Sequence, residues 1–397
     1  MIRFTTAGES HGFALVAIVE GVPAGLPLLA SQVDVELARR QHGYGRGRRM
    51  QIEQDTVEFL SGVRAGETIG SPIALLIRNL DWKNWEAIMD PAPRADDSPG
   101  GRKRQVTRVR PGHADLTGLL KYDRDDARDI LERASARETT ARVAAGAVAR
   151  RLLAEFGIRI GSHVVHLGGI DAARPAEWPA DLNAASDLSP LRTLDPVAET
   201  AMVERIDVAK AEGNTLGGIC EVIVEGLPVG LGSHVSWDRK LDGRLAAAML
   251  SIPAVKGMEV GLGFDVARRT GAEVHDEIQP APGSARTGNV RRSTNRAGGL
   301  EGGMTTGEPL VLRVAMKPIS TLMRPLGTID IKTGAPAEAV AERSDVTAVP
   351  AMGVIAEAMT ALVLANALVE KFGGDSLPEL QRNHLAYLSH LATRLGR

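Results

Sequence analysis

The chain has 397 residues, 44% of them apolar, and a formal net charge of −2, which predicts a soluble globular protein with a substantial core. The near-zero charge gives the whole molecule no reason to bind nucleic acid or an acidic membrane. The longest apolar stretch, residues 361–369, falls short of the roughly 20 residues that span a bilayer, and no secretory signal is recognisable. We therefore expect a cytoplasmic protein with no nucleic-acid or membrane partner.

The first predicted elements are a strand, a turn and a second strand, because the β-branched run FALVAIVEG follows the sequence GESHG at 8–12. GESHG also matches the G-x-S-x-G pattern of a hydrolase nucleophile elbow, which needs a strand, a sharp turn and a helix. Only seven residues precede the motif. A serine hydrolase with Ser10 as nucleophile is an alternative, and it predicts covalent labelling of Ser10 by a fluorophosphonate.

Arginines cluster with glycines at 39–50 and 101–113. The planar guanidinium suits carboxylates and phosphates, so these segments predict a small polyanionic ligand. Aromatic residues make up 3% of the chain, which disfavours binding of single-stranded nucleic acid by base stacking. A non-catalytic module that binds anions or RNA through the arginine clusters is the second alternative, and it predicts an affinity that falls steeply with salt.

Two pairs of segments predict an internal pseudo-duplication. VAIVEGVPAGL at 16–26 resembles EVIVEGLPVGL at 221–231. Residues 61–73 align with residues 298–310 at their glycine, threonine and proline positions. Similarity of glycine-rich strands by chance is the alternative explanation.

Each proposed repeat ends in a predicted Ala-rich helix, at 137–157 and at 353–373, and helices with small side chains suit close packing in a shared core. The repeats cover roughly 1–160 and 210–375. We expect α+β class and one domain over 1–397, in which long Ala-rich helices pack between antiparallel sheets.

Between the repeats, the Pro-, Ala- and Asp-rich segment 171–196 predicts a long surface excursion or a weak domain boundary. The only cysteine, Cys220, lies in the strand-like run GGICEVIVEG and is predicted to be a buried small apolar residue.

His11 and His113 both lie in glycine-bounded turns beside Arg-rich or nest-like elements, where a histidine near neutrality could donate a proton. The alternative is that both are structural histidines. Asp345, after Arg343, suggests an ion pair or a helix N-cap for the segment after Pro350. The chain has no H-x-x-x-H or C-x-x-C spacing, so we expect no metal site, and it carries neither a Rossmann fingerprint nor a P-loop.

Seven segments that span essentially the whole chain, in this order, resemble the chorismate synthase family. They are GESHG at 8–12, GYGRGRRM at 43–50, RPGHADLTGLLKY at 110–122, LERASARET at 131–139, RSTNRAGGLEGGM at 292–304, MKPIST at 316–321 and RSDVTAVPAMG at 343–353. The resemblance implies a carbon–oxygen lyase of the shikimate pathway. It would convert 5-enolpyruvylshikimate 3-phosphate to chorismate and phosphate by anti-1,4-elimination, for aromatic amino-acid biosynthesis.

The resemblance also implies reduced FMN as cofactor, although the reaction has no net redox change. The hydrogen lost from C6 is not acidified by a carbonyl, so an ordinary side-chain base faces an unfavourable proton transfer, whereas a reduced flavin can donate electron density. Nothing resembles an appended flavin reductase, so an external source of reduced flavin and an association with NADP are expected. The family further implies a homotetramer and a β-α-β sandwich.

Residue roles follow from the same resemblance. His11 would protonate the departing phosphate and Ser10 would orient that group. His113 would protonate the reduced flavin around N1, and Asp345 would work with flavin N5 to remove the C6 hydrogen. The expected substrate-binding residues are the arginines that would neutralise phosphate and carboxylates, namely Arg40, Arg46, Arg49 and Arg137.

The family pattern also supplies the expected contacts to FMN. These residues are Ser135, Ala136, Arg137, Pro253, Ala254, Gly302, Lys317, Pro318, Ile319, Ser320, Thr321 and Arg343. Family members often carry Asn or another polar residue where Pro253 stands, so only a backbone contact is expected there.

Overall fold

The computed structural model describes residues 1–47, 54–93, 105–340 and 345–394. Its α helices, in chain order, are α1 (Ala30–Gln41), α2 (Glu86–Met89), α3 (Asp115–Tyr122), α4 (Arg128–Leu131), α5 (Glu138–Ala154), α6 (Leu182–Ser186), α7 (Pro196–Ala211), α8 (Leu241–Leu250), α9 (Gly271–Val274), α10 (Val349–Phe372) and α11 (Leu377–Arg394).

The strands, in chain order, are β1 (Arg3–Ala7), β2 (Ala14–Glu20), β3 (Glu58–Phe59), β4 (Val63–Arg64), β5 (Glu67–Thr68), β6 (Ile73–Arg78), β7 (Arg159–Leu167), β8 (Ile170–Asp171), β9 (Gly218–Glu225), β10 (Val255–Val260), β11 (Ile278–Pro280), β12 (Val290–Arg292), β13 (Leu300–Glu301), β14 (Met304–Thr305), β15 (Leu310–Met316), β16 (Gly327–Ile329) and β17 (Pro336–Glu338).

Two antiparallel sheets form the outer layers. The first has the strand order β1-β2-β6-β3, with Ala17 opposite Leu75. The second has the order β10-β15-β9-β7-β8, with Cys220 opposite Val314. Side chains alternate across a strand, and the buried apolar set of each central strand, such as Ala17 and Val19 on β2, belongs to one hydrophobic core.

The long helices lie between these sheets. Helix α5 packs on β1, β2 and β6, helix α10 packs on β7, β9 and β15, and the two helices pack on each other. The chain is therefore a mixed α+β protein with a β-α-β arrangement, as predicted. The two predicted Ala-rich helices are confirmed as α5 and α10. The second begins earlier than predicted, at Val349, because Pro350 is compatible with the first helical turn.

Small residues allow the helices to approach this closely. A Cβ on Gly146 of α5 would overlap the Cα and Cβ of Ala358 on α10. A Cβ on Gly353 of α10 would come 2.8 Å from the Ser162 hydroxyl and 3.2 Å from the sulfur of Cys220. Cys220 is 1% exposed and unpaired by disulfide, which confirms it as a small core residue.

Helix α10 is long and apolar enough to cross a membrane by length and composition alone, yet 89% of its apolar window is buried inside the protein. Burial between two sheets identifies it as a core helix. Asn366 is a polar residue within the apolar stretch 361–369 of this helix. Its side-chain oxygen accepts a hydrogen bond from the backbone N–H of Ile2 at 2.9 Å.

The prediction of a surface excursion over 171–196 is wrong for the last residues of that segment. Leu191 and Arg192 are buried, and α7 begins at Pro196. Arg192 points inward because its guanidinium binds the buried carboxylate of Glu357 at 3.0 Å, an interaction that composition does not reveal.

One turn beside each sheet has the same hydrogen-bond pattern. In the first, the Thr68 hydroxyl donates to the Pro23 carbonyl at 2.6 Å and accepts from the Leu26 N–H at 3.0 Å. The second turn repeats both bonds, at 2.6 and 2.8 Å, in the set Thr305, Pro228 and Leu231. The matching residues occupy equivalent positions in the two pairs of similar sequence segments.

The Glu357 carboxylate lies inside the core, 1% exposed, among three guanidinium groups. Arg39 of α1 donates to both oxygens at 3.0 and 3.1 Å, Arg150 of α5 donates at 2.5 Å and Arg192 at 3.0 Å. The Ser162 hydroxyl adds a bond of 2.6 Å. Burial alone would raise the pKa of Glu357, but these arginines hold the pKa below its ordinary value.

We expect Glu357→Gln to destabilise the protein by about 3–5 kcal/mol, because it leaves buried guanidinium groups around a neutral amide. Urea unfolding measures the change. Glu370→Gln is the matched control on the same helix, since Glu370 pairs with Arg239 and Arg244 near the surface and should cost less than about 1 kcal/mol.

The effect should depend on pH. Since the pKa of Glu357 is depressed in the folded state, its stabilisation is complete above the ordinary value of 4.5 and is lost as the pH falls through the folded-state pKa. The difference between wild type and Glu357→Gln should therefore narrow on acidification. Equal unfolding of both proteins at neutral pH would contradict this role.

Candidate active site

The first site element is the turn between β1 and β2, which contains Ser10 and His11. The predicted order of strand, turn and strand is confirmed, so the context differs from that of a nucleophile elbow. Ser10 is 2% exposed, and its backbone N–H donates to the Glu132 carbonyl at 2.9 Å. The turn is therefore attached to the segment that follows α4.

His11 is held by the side chain of Glu132. Its Nδ1 lies 2.9 Å from both carboxylate oxygens, and its backbone N–H donates to Oε2 at 2.9 Å. Arg128 donates to Oε1 of the same carboxylate at 2.8 Å. The imidazole also stacks on Trp85, with ring centroids 3.7 Å apart and planes at 24°. These contacts fix the ring in position and orientation.

The residues that begin α5 lie beside this turn. The Ser135 hydroxyl donates to the Ser10 hydroxyl at 3.1 Å. Arg137, 5% exposed, reaches Asp55 with an N–O distance of 3.0 Å. The sequence LERASARET thus supplies contacts to both Ser10 and a buried carboxylate.

Arg40, in the last turn of α1, joins the same cluster. Its Nε donates to the Thr139 hydroxyl at 3.1 Å, and its Nη2 donates to the Ala136 carbonyl at 3.3 Å. Its Nη1 lies 3.8 Å from Asp55, so Asp55 faces both Arg40 and Arg137. Buried guanidinium groups of this kind suit anionic groups such as phosphate.

A second cluster surrounds His113. Its Nδ1 lies 2.6 Å from Oδ1 of Asp115, which is fully buried at the start of α3. Arg110 donates to Asp115 from Nε at 2.9 Å and from Nη2 at 3.1 Å, and from Nη1 to the Thr321 hydroxyl at 3.1 Å. His113 is thereby placed next to the predicted 317–321 segment.

The 317–321 segment also meets the predicted pair Pro253 and Ala254. The backbone N–H of Lys317 donates to the Ala254 carbonyl at 3.0 Å, and its ammonium donates to the Gly112 carbonyl. Ala254 has φ +68°, a left-handed conformation that costs a residue with a Cβ about 1–2 kcal/mol. Burial and the nearby Lys256 lower the pKa of Lys317.

Asp345 forms a third cluster with the loop after α1. One carboxylate oxygen accepts from the Gly47 N–H at 2.5 Å, and the other lies 3.3 Å from Nε of Arg46. The ion pair predicted as one alternative is present, although with Arg46. Helix α10 has Ala348 at its N-cap position, so the N-cap alternative for Asp345 is wrong.

Hydrogen bonds connect this third cluster to the second. The Leu216 N–H donates to the carbonyl of Val346, the residue after Asp345, at 2.8 Å. The neighbouring Thr215 hydroxyl donates to the Ile319 carbonyl at 2.7 Å. The Asp345 and 317–321 segments are therefore supported by the same short stretch.

The structure does not describe two of the predicted site arginines, and it places one predicted glycine outside these clusters. Arg49 and Arg343 lie outside the described residues. Gly302 lies in the turn between β13 and β14, φ +59°, where the side-chain atoms nearest to an added Cβ belong to His234 and Met304, neither of which was predicted to be in the site.

The carboxylates behind both histidines are ionised. Burial would raise the pKa of Glu132, but the hydrogen bonds of His11 and the charge of Arg128 hold the pKa below its ordinary value. Burial likewise opposes ionisation of Asp115, and the hydrogen bonds of His113 and Arg110 keep its pKa well below the usual range. Each histidine therefore faces a negative charge at neutral pH.

A cavity of about 890 Å³ lies apart from these clusters, over the face of the second sheet that carries Glu221, Ile223 and Arg313. None of the predicted site residues lines it. Within the described ranges, no group of three or more His, Cys, Asp or Glu side chains could hold a metal ion.

Comparison with known proteins identifies the family. The chorismate synthase family model matches residues 2–369. The chain belongs to the chorismate synthase family. Family membership makes the protein a lyase of the shikimate pathway and implies a flavin requirement in general terms.

Relatives named chorismate synthase resemble the chain over its full length. That of Symbiobacterium thermophilum is 57% identical over 395 residues, which cover 99% of this chain and 100% of the relative. That of Geobacter sulfurreducens is 56% identical over 397 residues, with 98% and 99% covered. A crystal structure of chorismate synthase is 43% identical, with a TM-score of 0.78 and 99% and 98% of the two chains covered.

Sequence reasoning missed the residues that support the chorismate synthase histidines. Glu132 and Asp115 lie within the quoted segments LERASARET and RPGHADLTGLLKY, but neither was singled out. Two partners from elsewhere in the chain, the buried Asp55 and the partly buried Trp85, had no local sequence signal. The available sequence signal for such a partner was a histidine two residues before an acidic residue, as in HAD at 113–115.

We expect no covalent labelling of Ser10 by a fluorophosphonate probe, because the hydroxyl is buried in a hairpin turn and lacks the exposed elbow that activates a nucleophilic serine. Mass spectrometry of the treated protein checks this, with an authentic serine hydrolase as positive control. Stoichiometric modification of Ser10 would instead support the hydrolase alternative.

Proposed function

We propose that the three clusters form one active site, which eliminates phosphate from 5-enolpyruvylshikimate 3-phosphate to give chorismate. The observation that carries the proposal is that the fold brings predicted site segments from distant parts of the sequence into contact. Ser10 contacts Ser135, and Arg110 contacts Thr321. The first two clusters also share a small hydrophobic cluster that includes Val109, next to Arg110, and Leu131, next to Glu132.

The substrate carries three anionic groups, a phosphate and two carboxylates, so its binding needs several cations. We assign this to Arg40 and Arg137, which meet at Asp55, and to Arg46, which lies beside Asp345. Arg49, in the same arginine-rich segment, completes the proposed set. A planar guanidinium binds phosphate or carboxylate with two parallel hydrogen bonds.

The described residues fit FMN as cofactor. Lys317 and Arg110 offer cationic donors, and Ser320 and Thr321 offer hydroxyl groups, which suit a phosphate and ring carbonyls. At Gly112 an added Cβ would come 3.2 Å from the Lys317 ammonium, so glycine keeps this surface open to a ligand. When bound, reduced FMN supplies electron density to the substrate as phosphate leaves.

The remaining proposed FMN contacts extend this surface. They are Ser135, Ala136, Arg137, Pro253, Ala254, Gly302, Pro318, Ile319 and Arg343. Pro253 has no N–H and no polar side-chain atom, so any contact there uses its carbonyl. The left-handed Ala254, bonded to Lys317, gives a reason why this segment adopts a defined shape.

The side chains of this chain divide the proton transfers. His11, oriented by Glu132, protonates the departing phosphate, and Ser10 helps to orient that group. His113, oriented by Asp115, provides a proton near flavin N1. Asp345, held by Arg46 and the Gly47 N–H, would work with flavin N5, which would take up the hydrogen lost from C6. General acid–base groups contribute about 10²–10⁴-fold each.

Family likeness supports four further proposals. We infer a homotetramer, a cytoplasmic location, an external source of reduced flavin and the associated use of NADP. The family match over residues 2–369 accounts for most of the chain.

We also infer that the chain is one domain, 1–397, built by internal duplication. The repeated threonine bonds at Thr68 and Thr305 support this, as do the matched left-handed glycines Gly62 and Gly299, each packed on the strand that follows its hairpin. In the first sheet β2 lies between β1 and β6, and in the second sheet β9 lies between β7 and β15. We therefore infer that β7 corresponds to β1, so that the second repeat begins with β7 rather than near residue 210.

The decisive assay is anaerobic, with 5-enolpyruvylshikimate 3-phosphate and with or without reduced FMN. We expect equimolar phosphate and chorismate only with reduced FMN, and a loss in kcat of about 100-fold or more for His11→Ala and His113→Ala. His166→Ala is the control, because His166 pairs with the exposed Asp171. If the folded wild-type protein binds FMN but forms neither phosphate nor chorismate, the result would favour the anion-binding alternative.

Lys317→Ala should weaken binding of reduced FMN by about 10- to 100-fold, because one hydrogen bond to a charged group is worth about 1.5–3 kcal/mol. Anaerobic titration measures the affinity. Lys210→Ala, an exposed lysine in the last turn of α7, removes the same charge elsewhere and should leave binding unchanged. Equal affinity of the two variants for reduced FMN would contradict a role for Lys317 in binding the flavin.

A further inference from the structure

Each of the two site histidines has its own buried carboxylate, and each carboxylate also binds an arginine. His11 and His113 are 16% and 17% exposed in their side chains, whereas Glu132 and Asp115 are 2% and 0% exposed. The arginines are Arg128 and Arg110. The arrangement recurs in two places, at the end of α4 and at the start of α3.

The Glu132 carboxylate accepts hydrogen bonds from groups that can only donate. The His11 backbone N–H and the Arg128 guanidinium both point to it, and its depressed pKa keeps it ionised at neutral pH. An ionised carboxylate has no proton to give. The contact of 2.9 Å with Nδ1 of His11 therefore requires the proton to be on Nδ1.

The same argument applies to Asp115, with one competitor. Arg110 Nη2 lies 3.1 Å from Nδ1 of His113, and a guanidinium N–H would need a bare nitrogen as acceptor. The carboxylate is closer, at 2.6 Å, and a bare Nδ1 would put a lone pair against a negative charge. The Nδ1 proton is favoured, and Arg110 binds Asp115 instead through Nε and Nη2.

We propose that Glu132 and Asp115 are positioning residues, which hold His11 and His113 as Nδ1–H tautomers, so that Nε2 is the nitrogen of each ring that exchanges a proton with the ligands. The inference rests on the proposed function for the role of the histidines. The tautomers themselves are a property of the protein without ligands.

For His11 the consequence is a defined proton path. The doubly protonated ring gives its Nε2 proton to an oxygen of the departing phosphate: the Nε2–H bond breaks and an O–H bond forms. The product is the neutral Nδ1–H tautomer, which Glu132 already holds, so no ring flip is needed. Stacking on Trp85 keeps the ring plane fixed during the transfer.

A buried histidine–carboxylate pair outside the site provides the control. His163 and Glu221 are 2% and 1% exposed, face each other on β7 and β9, and approach through Nε2 at 3.4 Å. Arg174 completes the group. Glu221→Gln makes the same chemical change as Glu132→Gln in an equally buried place, away from the proposed site.

The first test is the ¹⁵N spectrum of the histidine side chains in the ligand-free wild type, with the nine histidines labelled and His11 and His113 assigned by their replacement with Gln. We expect the neutral ring of both histidines to carry its proton on Nδ1 and none on Nε2. A neutral ring with a bare Nδ1 in either histidine overturns the proposal for that residue.

The second test compares Glu132→Gln and Asp115→Asn with Glu221→Gln. An amide can accept from Nδ1 or donate to it, so the tautomer is no longer fixed. We expect each site variant to shift the ¹⁵N signals of its own histidine alone and to lower kcat by about 10²- to 10⁴-fold, with little change in the KM for substrate. Glu221→Gln should leave kcat unchanged.

The outcomes separate the two proposals. A fall in kcat without a change in the ¹⁵N signals of the matching histidine would mean that the carboxylate acts structurally, and would overturn positioning. Correct tautomers in a protein that releases no chorismate would instead reject the proposed function, while the assignment of Glu132 and Asp115 to the histidine rings would stand. If a variant fails to fold, the wild-type spectrum alone still decides the tautomers.

Discussion

The arrangement of the protein depends on an ionised carboxylate buried between helices. Glu357 on α10 has no access to water, so its charge is tolerable only if donors surround it. Arg39 comes from α1, Arg150 from α5 and Arg192 from the segment before α7. The requirement to satisfy one charge therefore fixes the mutual positions of three helices between the two sheets.

The same helices carry the site. Arg40 follows Arg39 in the last turn of α1, Arg137 is the residue before α5, and Asp345 precedes α10. A helix end next to a well-packed interior is held rigidly, so the cations and the carboxylate proposed to act on the substrate are presented on a stable frame. The structural charge cluster and the proposed catalytic clusters thus use adjacent residues of the same elements.

The chemistry of each histidine in the proposed site depends on the carboxylate that contacts its Nδ1. Glu132 and Asp115 are buried, ionised and held by arginines, so each presents a fixed acceptor to its histidine. A proton-transfer group needs both a defined tautomer and a defined direction. The family resemblance alone assigns roles to His11 and His113 and says nothing of how those roles are enforced.

Much of the fold could be predicted from the sequence, because local patterns encode it: the strand-like run around Cys220 formed β9, and the Ala-rich segments formed α5 and α10. The motifs also led to the family, since glycine, arginine and histidine occur in distinctive local runs. Contacts between distant segments could not be predicted. The burial of Arg192, the pairing of Arg46 with Asp345 and the carboxylates behind the histidines join residues far apart in the chain or hidden within a motif. Only packing of the helices between the sheets decides which charges meet, because a charge buried away from water must take whichever partner the fold brings to it.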